Sequence, residues 1–197
     1  MADNDFNKGP IPDEYSSLTA LRELSLKSTQ RDGPLPSYLA EYKRLILLDL
    51  DDNELNGAIP SFLGNMTTVV GLLLNRNQFT GQGVPPELAA MTNLQLLFLD
   101  RNNIQGDLAS PLCSLPNLKN ISASNSIFSA DCQVPIATQS DATAAAVGEV
   151  SCPCCNICCA DDDDTCHNND IVATHDPIWE RNYVRPNYIF GNDTVYN

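Results

Sequence analysis

A spacing of apolar residues that neither one helix nor one strand can satisfy recurs along this chain, and it limits the fold more than any other feature. In the stretch from Leu45 to Met66 the apolar positions are Leu45, Leu48, Leu50, Leu55, Ile59 and Leu63. Taking Asn53 as the marker, the equivalent residues are Thr29, Asn77, Asn102 and Ser126, so the period is 24 residues with one step of 25. The longer step has a visible source: the chain reads GQGV from Gly81 to Val84 where the preceding unit has GAI. Leu24 and Leu26, Leu48 and Leu50, Leu72 and Leu74, Leu97 and Leu99, then Ile121 and Ala123 occupy one pair of strand positions. Gly33, Gly57, Gly81 and Gly106 mark a turn, and Leu39, Leu63, Leu88 and Leu112 close a return segment. One such unit cannot bury its own apolar residues. Stacked coils can, each burying its face against the next.

The unit LxxLxLxxNxLxGxIPxxLxxL resembles the plant-type leucine-rich repeat, which residues 45–69 match at nearly every position, and the resemblance extends over roughly residues 4–130. It implies an α/β fold: a right-handed leucine-rich repeat solenoid with a parallel sheet on the concave side and an irregular, short-helical convex side. The marker Asn has a physical task, since its amide can satisfy backbone groups where each coil turns out of its strand. The chain divides into repeats over 1–130, a cysteine-rich C-terminal cap over 131–170 and an aromatic-rich tail over 171–197. The N-terminal residues carry no apolar signal-peptide core and enter in mid-repeat, with Phe6, Gly9, Ile11 and Pro12 fitting the second half of a coil. The expectation is a segment of a longer precursor whose signal peptide is missing here.

Strand alternation assigns the outward residues of the concave sheet. They include Leu47, Asp49, Asp51, Leu73, Leu96 and Phe98, with Lys27 and Asn75 in the same set and Arg76 and Arg101 one position further on. An apolar patch of Leu47, Leu73, Leu96 and Phe98 rimmed by Arg76, Arg101, Asp49 and Asp51 has the composition of a binding surface. The partner this suggests is a protein, peptide or glycan.

The eight cysteines are Cys113, Cys132, Cys152, Cys154, Cys155, Cys158, Cys159 and Cys166, so none precedes residue 113. Such a cluster at the end of a solenoid reads as a disulfide cap over the last coil, with all eight oxidised and Cys113 paired with Cys132 because the two flank that coil. The segment ADCQVP…VSCPCCNICC over 130–159 resembles the C-terminal cap of leucine-rich repeat proteins from stramenopile algae such as diatoms. CxxC spacing also suits zinc, but a second separated knuckle is lacking, and no metal or other cofactor is expected. Asn65, Asn120 and Asn192 open glycosylation triplets, and together with the cysteines they favour a secreted or cell-surface location.

Lys and Arg number 11 against 25 Asp and Glu, and the net charge of −14 argues against nucleic acid or an anionic membrane as partner. The tail is too polar to cross a membrane. No HExxH, GxSxG or Walker motif is present. The carboxylates at Asp49, Asp51 and Asp52 would stand on an open sheet rather than in a water-poor pocket, so no enzyme is expected. Five aromatic residues from Trp179 to Tyr196 make the tail too apolar for a solvated linker. It is expected to lie on its own last coils, or on a neighbouring copy in a homo-oligomer or larger extracellular assembly. The expected function is recognition through the concave face, with a structural role in an extracellular filament as the alternative.

Overall fold

The computed structural model describes residues 7–108, 112–116, 127–131, 150–152, 154–155, 157–159, 165–168 and 171–174. Cys132, Asn120, Asn192, the acidic run 161–164, the excursion over 133–149 and the tail from residue 175 lie outside the described residues.

Each coil of the repeat contributes a short strand to one sheet, a second strand to another, and a 3-10 turn on the way back. The concave sheet contains β2 (Glu23–Ser25), β4 (Leu47–Asp49), β6 (Gly71–Leu73), β8 (Leu96–Phe98), β10 (Ile127–Ala130) and β12 (Ile157–Cys159), paired in parallel. A hairpin of β13 (Thr165–Asn168) and β14 (Ile171–Thr174) extends it antiparallel at the C-terminal edge. The outer sheet is also parallel and runs β1 (Gly9–Pro10), β3 (Arg31–Gly33), β5 (Glu54–Ala58), β7 (Gln78–Gln82), β9 (Asn103–Asp107), β11 (Val150–Ser151). This second sheet was not expected from the sequence. Its only signal there is the recurring x-L-x-G-x segment that follows each marker Asn.

Pro36, Pro60 and Pro85 hold the extended backbone that precedes each return turn, at Ser37–Glu41, Ser61–Asn65 and Pro86–Ala90. Leu39, Leu63 and Leu88 on these turns are fully buried, as is Leu112 at the equivalent place. They meet Leu48, Leu72 and Leu97 from the concave sheet and Leu55, Phe79 and Ile104 from the outer sheet in one continuous core. Full burial of a leucine stabilises by about 1.5–3 kcal/mol, and every coil supplies several. Neighbouring turns approach closely at Gly64, where an added Cβ would lie 2.3 Å from the Glu87 carbonyl oxygen.

The marker asparagines bond as their position requires. Asn77 Nδ2 donates to the Leu50 and Leu74 carbonyls at 2.9 and 3.1 Å, while its Oδ1 accepts from Leu55 N at 3.0 Å. Asn53 and Asn102 repeat the pattern one coil before and after. At Thr29 only a hydroxyl is available, and it donates to the Leu26 carbonyl at 2.6 Å. The turns Gly33, Gly57, Gly81 and Gly106 all have positive φ, as their place in the repeat demands.

Two expectations fail at the C-terminal end. The fifth concave strand is Ile127–Ala130 rather than a strand bearing Ile121 and Ala123, because Phe128 aligns with Leu97. Phe128 is fully buried and Ala130 is 1% exposed, and both join the core, so the step from the preceding coil is 31 residues and Ser126 is not the marker. The second failure is the Cys113–Cys132 pair: Cys113 bonds Cys154, with their Cα atoms 5.4 Å apart. The cause is topological. Asp131 leaves β10 on the concave side, whereas β11 joins the outer sheet and carries Cys152 and Cys154 over the convex return where Cys113 stands. Cys152 bonds Cys155, which takes those two thiols away from a metal, and Cys159 is disulfide-bonded as well. Cys155 joins the core, with Cys152 and Cys154 packed against it, so the cap closes the core's open end.

Candidate binding face

The concave sheet turns its central residues, Leu24, Leu48, Leu72, Leu97 and Phe128, into the core. The flanking residue of each strand points the other way, as strand alternation requires. Across the coils this builds one outward row of Glu23, Leu47, Gly71 and Leu96, and a second of Ser25, Asp49, Leu73, Phe98 and Ser129. Leu73 stands directly beside Phe98 in register, as the repeat implied.

Just past the strands runs a charged row. Asp51 is fully buried and receives Arg76 in a bidentate pair, with Nε and Nη2 each 2.9 Å from its oxygens. Lys27 from the preceding coil adds an ion pair at 2.6 Å. Burial pushes the Asp51 carboxyl up, but the hydrogen bond and charge of Arg76, then those of Lys27, outweigh it and hold the group below the usual carboxylate range. Asp49, two residues further into the sheet, behaves oppositely. Burial raises it to about 6 and the Asp51 charge adds to this, against the Ser25 hydroxyl, which donates to Asp49 Oδ2 at 2.8 Å. Further along, the Ser129 hydroxyl donates to Asp100, and the Asp131 carboxylate accepts from the backbone N–H groups of Arg101 and Asn102 at 2.6 and 3.0 Å.

Arg76 and Arg101 share a second property: both have φ near +55°, at 53° and 56°, as do Ser28 and Asp52 at the same place in their coils. This left-handed turn lifts the residue before or at each coil exit out of the strand and aims the Arg76 side chain back toward the preceding coil.

The sequence places the right residues together but with the wrong exposure. Leu47, Leu73, Leu96 and Phe98 are 5%, 3%, 0% and 1% exposed, and Asp49 and Asp51 are buried too. The expected wet apolar patch is therefore absent from the surface in this structure. Rows about 4.8 Å apart shield one another's flanks, and the ion-paired Asp51 seals one end. Arg76, Arg101 and Lys27 are half-buried and keep contact with solvent. Asn65 is exposed at the end of its turn and accessible for modification. Sequence reading passed over Lys27 and Ser129 as site residues. Lys27 had a signal, because Lys27, Asp51 and Arg76 alternate in sign down adjacent coils at 24- and 25-residue spacing.

A leucine-rich repeat family model matches residues 44–66. The fold is a leucine-rich repeat solenoid. The ectodomain of the membrane receptor kinase GASSHO1/SCHENGEN3 from Arabidopsis thaliana, solved in complex with CASPARIAN STRIP INTEGRITY FACTOR 2, is similar at 33% identity and a TM-score of 0.55 over 59% of this chain and 14% of that one. The plant peptide hormone receptor RGFR1, solved in complex with RGF2, is similar at 29% identity and TM-score 0.56 over 59% of this chain and 18% of that one. A plant ice-binding protein is similar at 30% identity and TM-score 0.52 over 55% of this chain and 34% of that one. This chain thus spans well under two thirds of the length of each of these structures. No curated protein matches it.

Proposed function

We propose that this chain is an extracellular, non-enzymatic recognition module that binds a peptide or an extended segment of a protein along its concave sheet; a glycan is the less favoured ligand. The observation that carries this reading is the continuous parallel sheet of the concave side, whose strand ends are lined by the half-buried cations Lys27, Arg76 and Arg101. An extended ligand lying across the coils would meet this charged edge, where Arg101 offers donors to its carboxylates while Asp51 holds the Arg76 fork in place. Two of the similar solved structures are a receptor ectodomain and a peptide hormone receptor, each in complex with a named factor, which supports recognition as the role. The disulfides of the cap and the exposed Asn65 support an oxidising, extracellular setting.

The test is selection of random linear peptides displayed on phage against the folded chain, followed by titration of selected peptides. Arg101→Ala is expected to weaken binding by about 1–3 kcal/mol, while Gln78→Ala on the outer sheet leaves it unchanged. Peptides whose affinity follows Gln78 and ignores Arg101 would move the binding surface to the outer sheet.

A further inference from the structure

Three successive return turns end on Glu41, Asn65 and Ala90. All three residues are exposed, and only the middle one heads an Asn-x-Thr triplet, Asn65-Met66-Thr67. Within it Met66 is 2% exposed and joins the core, while Asn65 and Thr67 on either side face water. Just before the triplet, Gly64 lies against Glu87 of the next turn. The backbone is thus held from below and from one side, and the two polar side chains are left outermost.

The described asparagines divide into two chemical kinds. Asn53, Asn77 and Asn102 spend their Nδ2 hydrogens on backbone carbonyls of their own and the preceding coil, so a substituent on that nitrogen would break the ladder. The Asn65 amide enters no hydrogen bond among the described residues, and neither does the Thr67 hydroxyl. The next residue shows the difference, since Thr68 Oγ1 donates to the Leu45 carbonyl at 2.7 Å. What is held in Thr67 is its carbonyl, which accepts from Asn93 Nδ2 at 2.8 Å. The triplet is therefore fixed by its backbone and by Met66, with both side chains that the modification chemistry uses left out of the structure's own bonds.

We propose that Asn65 is an N-glycosylation site and carries an oligosaccharide on Nδ2 at the return ridge. The co-reactant is an oligosaccharide linked to a lipid pyrophosphate. A bond forms between Nδ2 and the anomeric carbon, the bond from that carbon to the pyrophosphate oxygen breaks, one amide proton is lost, and the lipid pyrophosphate leaves. The modified nitrogen keeps a single hydrogen. An amide with no bond to lose accepts that change, whereas a ladder amide does not. Room is available as well, because the flanking positions on the ridge, Glu41 and Ala90, are themselves exposed and one of them is only a methyl group.

The return turns meet the concave sheet only through the core, so the glycan stands on the far side of the molecule from Lys27, Arg76 and Arg101. A bulky hydrated group there closes the return ridge to a partner or a second copy and leaves the charged edge accessible. The proposal rests on the extracellular setting proposed above, and it does not depend on the concave sheet being the binding surface.

The test uses the full chain in two preparations, one isolated from its source and one secreted from a eukaryotic cell behind a cleavable leader. Each is digested, and the peptide holding Asn65 is read by mass spectrometry before and after an amidase that removes the glycan and leaves aspartate. Glycan on that peptide in both preparations is the expected result, with Asn120 and Asn192 read separately on their own peptides. Asn65→Gln is expected to lose this glycan and to unfold in urea at the same midpoint as the enzymatically deglycosylated chain, because the amide holds nothing in place. Should that variant fold poorly, the peptide readout of the unsubstituted chain still decides. The same peptides report whether the cysteines are oxidised. Oxidised cysteines with a bare Asn65 overturn the proposal and leave the extracellular setting standing. Reduced cysteines with a bare Asn65 in the chain from its source overturn both.

Discussion

The coils between Leu45 and Leu108 and the segment that closes them perform the same two tasks by different chemistry. Each must satisfy the backbone groups where a strand ends, and each must hold the next layer in place. In the coils an asparagine amide does the first, donating to two carbonyls and accepting an N–H, and leucines do the second. At the end Asp131 takes over the backbone of Arg101 and Asn102, and the Cys113–Cys154 bond joins the return turn to the cap. A carboxylate only accepts, so the ladder stops where the donor amide is missing. The lesson is that a repeat spreads its stability over many small equal contributions, while its end depends on a few bonds that cannot be averaged.

That contrast can be broken at several places. Leu50→Ala or Leu72→Ala removes a fully buried side chain shared by neighbouring coils, and a loss of about 2–5 kcal/mol in urea unfolding is expected. Gly64→Ala belongs with these, because its new methyl would meet the Glu87 carbonyl. A loss below about 0.5 kcal/mol would show the return turns to be loosely packed. Replacing Cys113 and Cys154 together by serine is expected to cost about 2–4 kcal/mol. The damage should stay in the cap: hydrogen exchange is expected to rise in β10 and β12 while β4 and β6 keep their protection. Equal loss of protection everywhere would show one cooperative unit rather than two regions.

Asn77→Ala removes four side-chain hydrogen bonds in the middle of the ladder and should cost about 1–3 kcal/mol. The smallest expected effect is of opposite sign. The Asp49 carboxyl titrates near 6 in the folded chain against an ordinary 3.8, so the native state binds a proton that the unfolded state does not in that window. Stability from this group therefore rises as pH falls from about 6 to 3.8, and it is lowest above 6. Asp49→Asn keeps an acceptor for Ser25 and should stabilise at pH 7 by about 1–3 kcal/mol. The gain over the native chain should shrink on acidification, and a gain independent of pH would contradict the raised carboxyl. Asp51, held low by Arg76 and Lys27, works the other way and loses its contribution only as pH falls below the ordinary carboxylate range.

The regular coils were legible because each position repeats its physical task every 24 or 25 residues: strand leucines, marker asparagines, left-handed glycines and return leucines all stand where the period puts them. The period misled at its end. Ile121 and Ala123 continue the count, but Phe128 and Ala130 supply the buried strand, and a longer connection absorbs the difference. The Cys113 partner was hidden for a related reason, since nearness in sequence says nothing about which of two sheets a segment will join. At the candidate face, alternation identified Leu73 beside Phe98 and the stacked arginines, yet it could not state their burial. Alternation gives direction, whereas exposure depends on what else approaches.

The 25-residue coil shows where this architecture tolerates growth. Its extra residue falls at Gln82–Gly83 on the outer sheet, where Gly83 takes a φ of 94° close to the Asp107 carbonyl, while β6 and β8 stay in register on the concave side. Length variation is taken up at the back of the molecule and leaves the front untouched. A lineage carrying this scaffold can therefore lengthen, decorate or splice its rear loops as separate inheritable changes, without redrawing the surface that meets a partner.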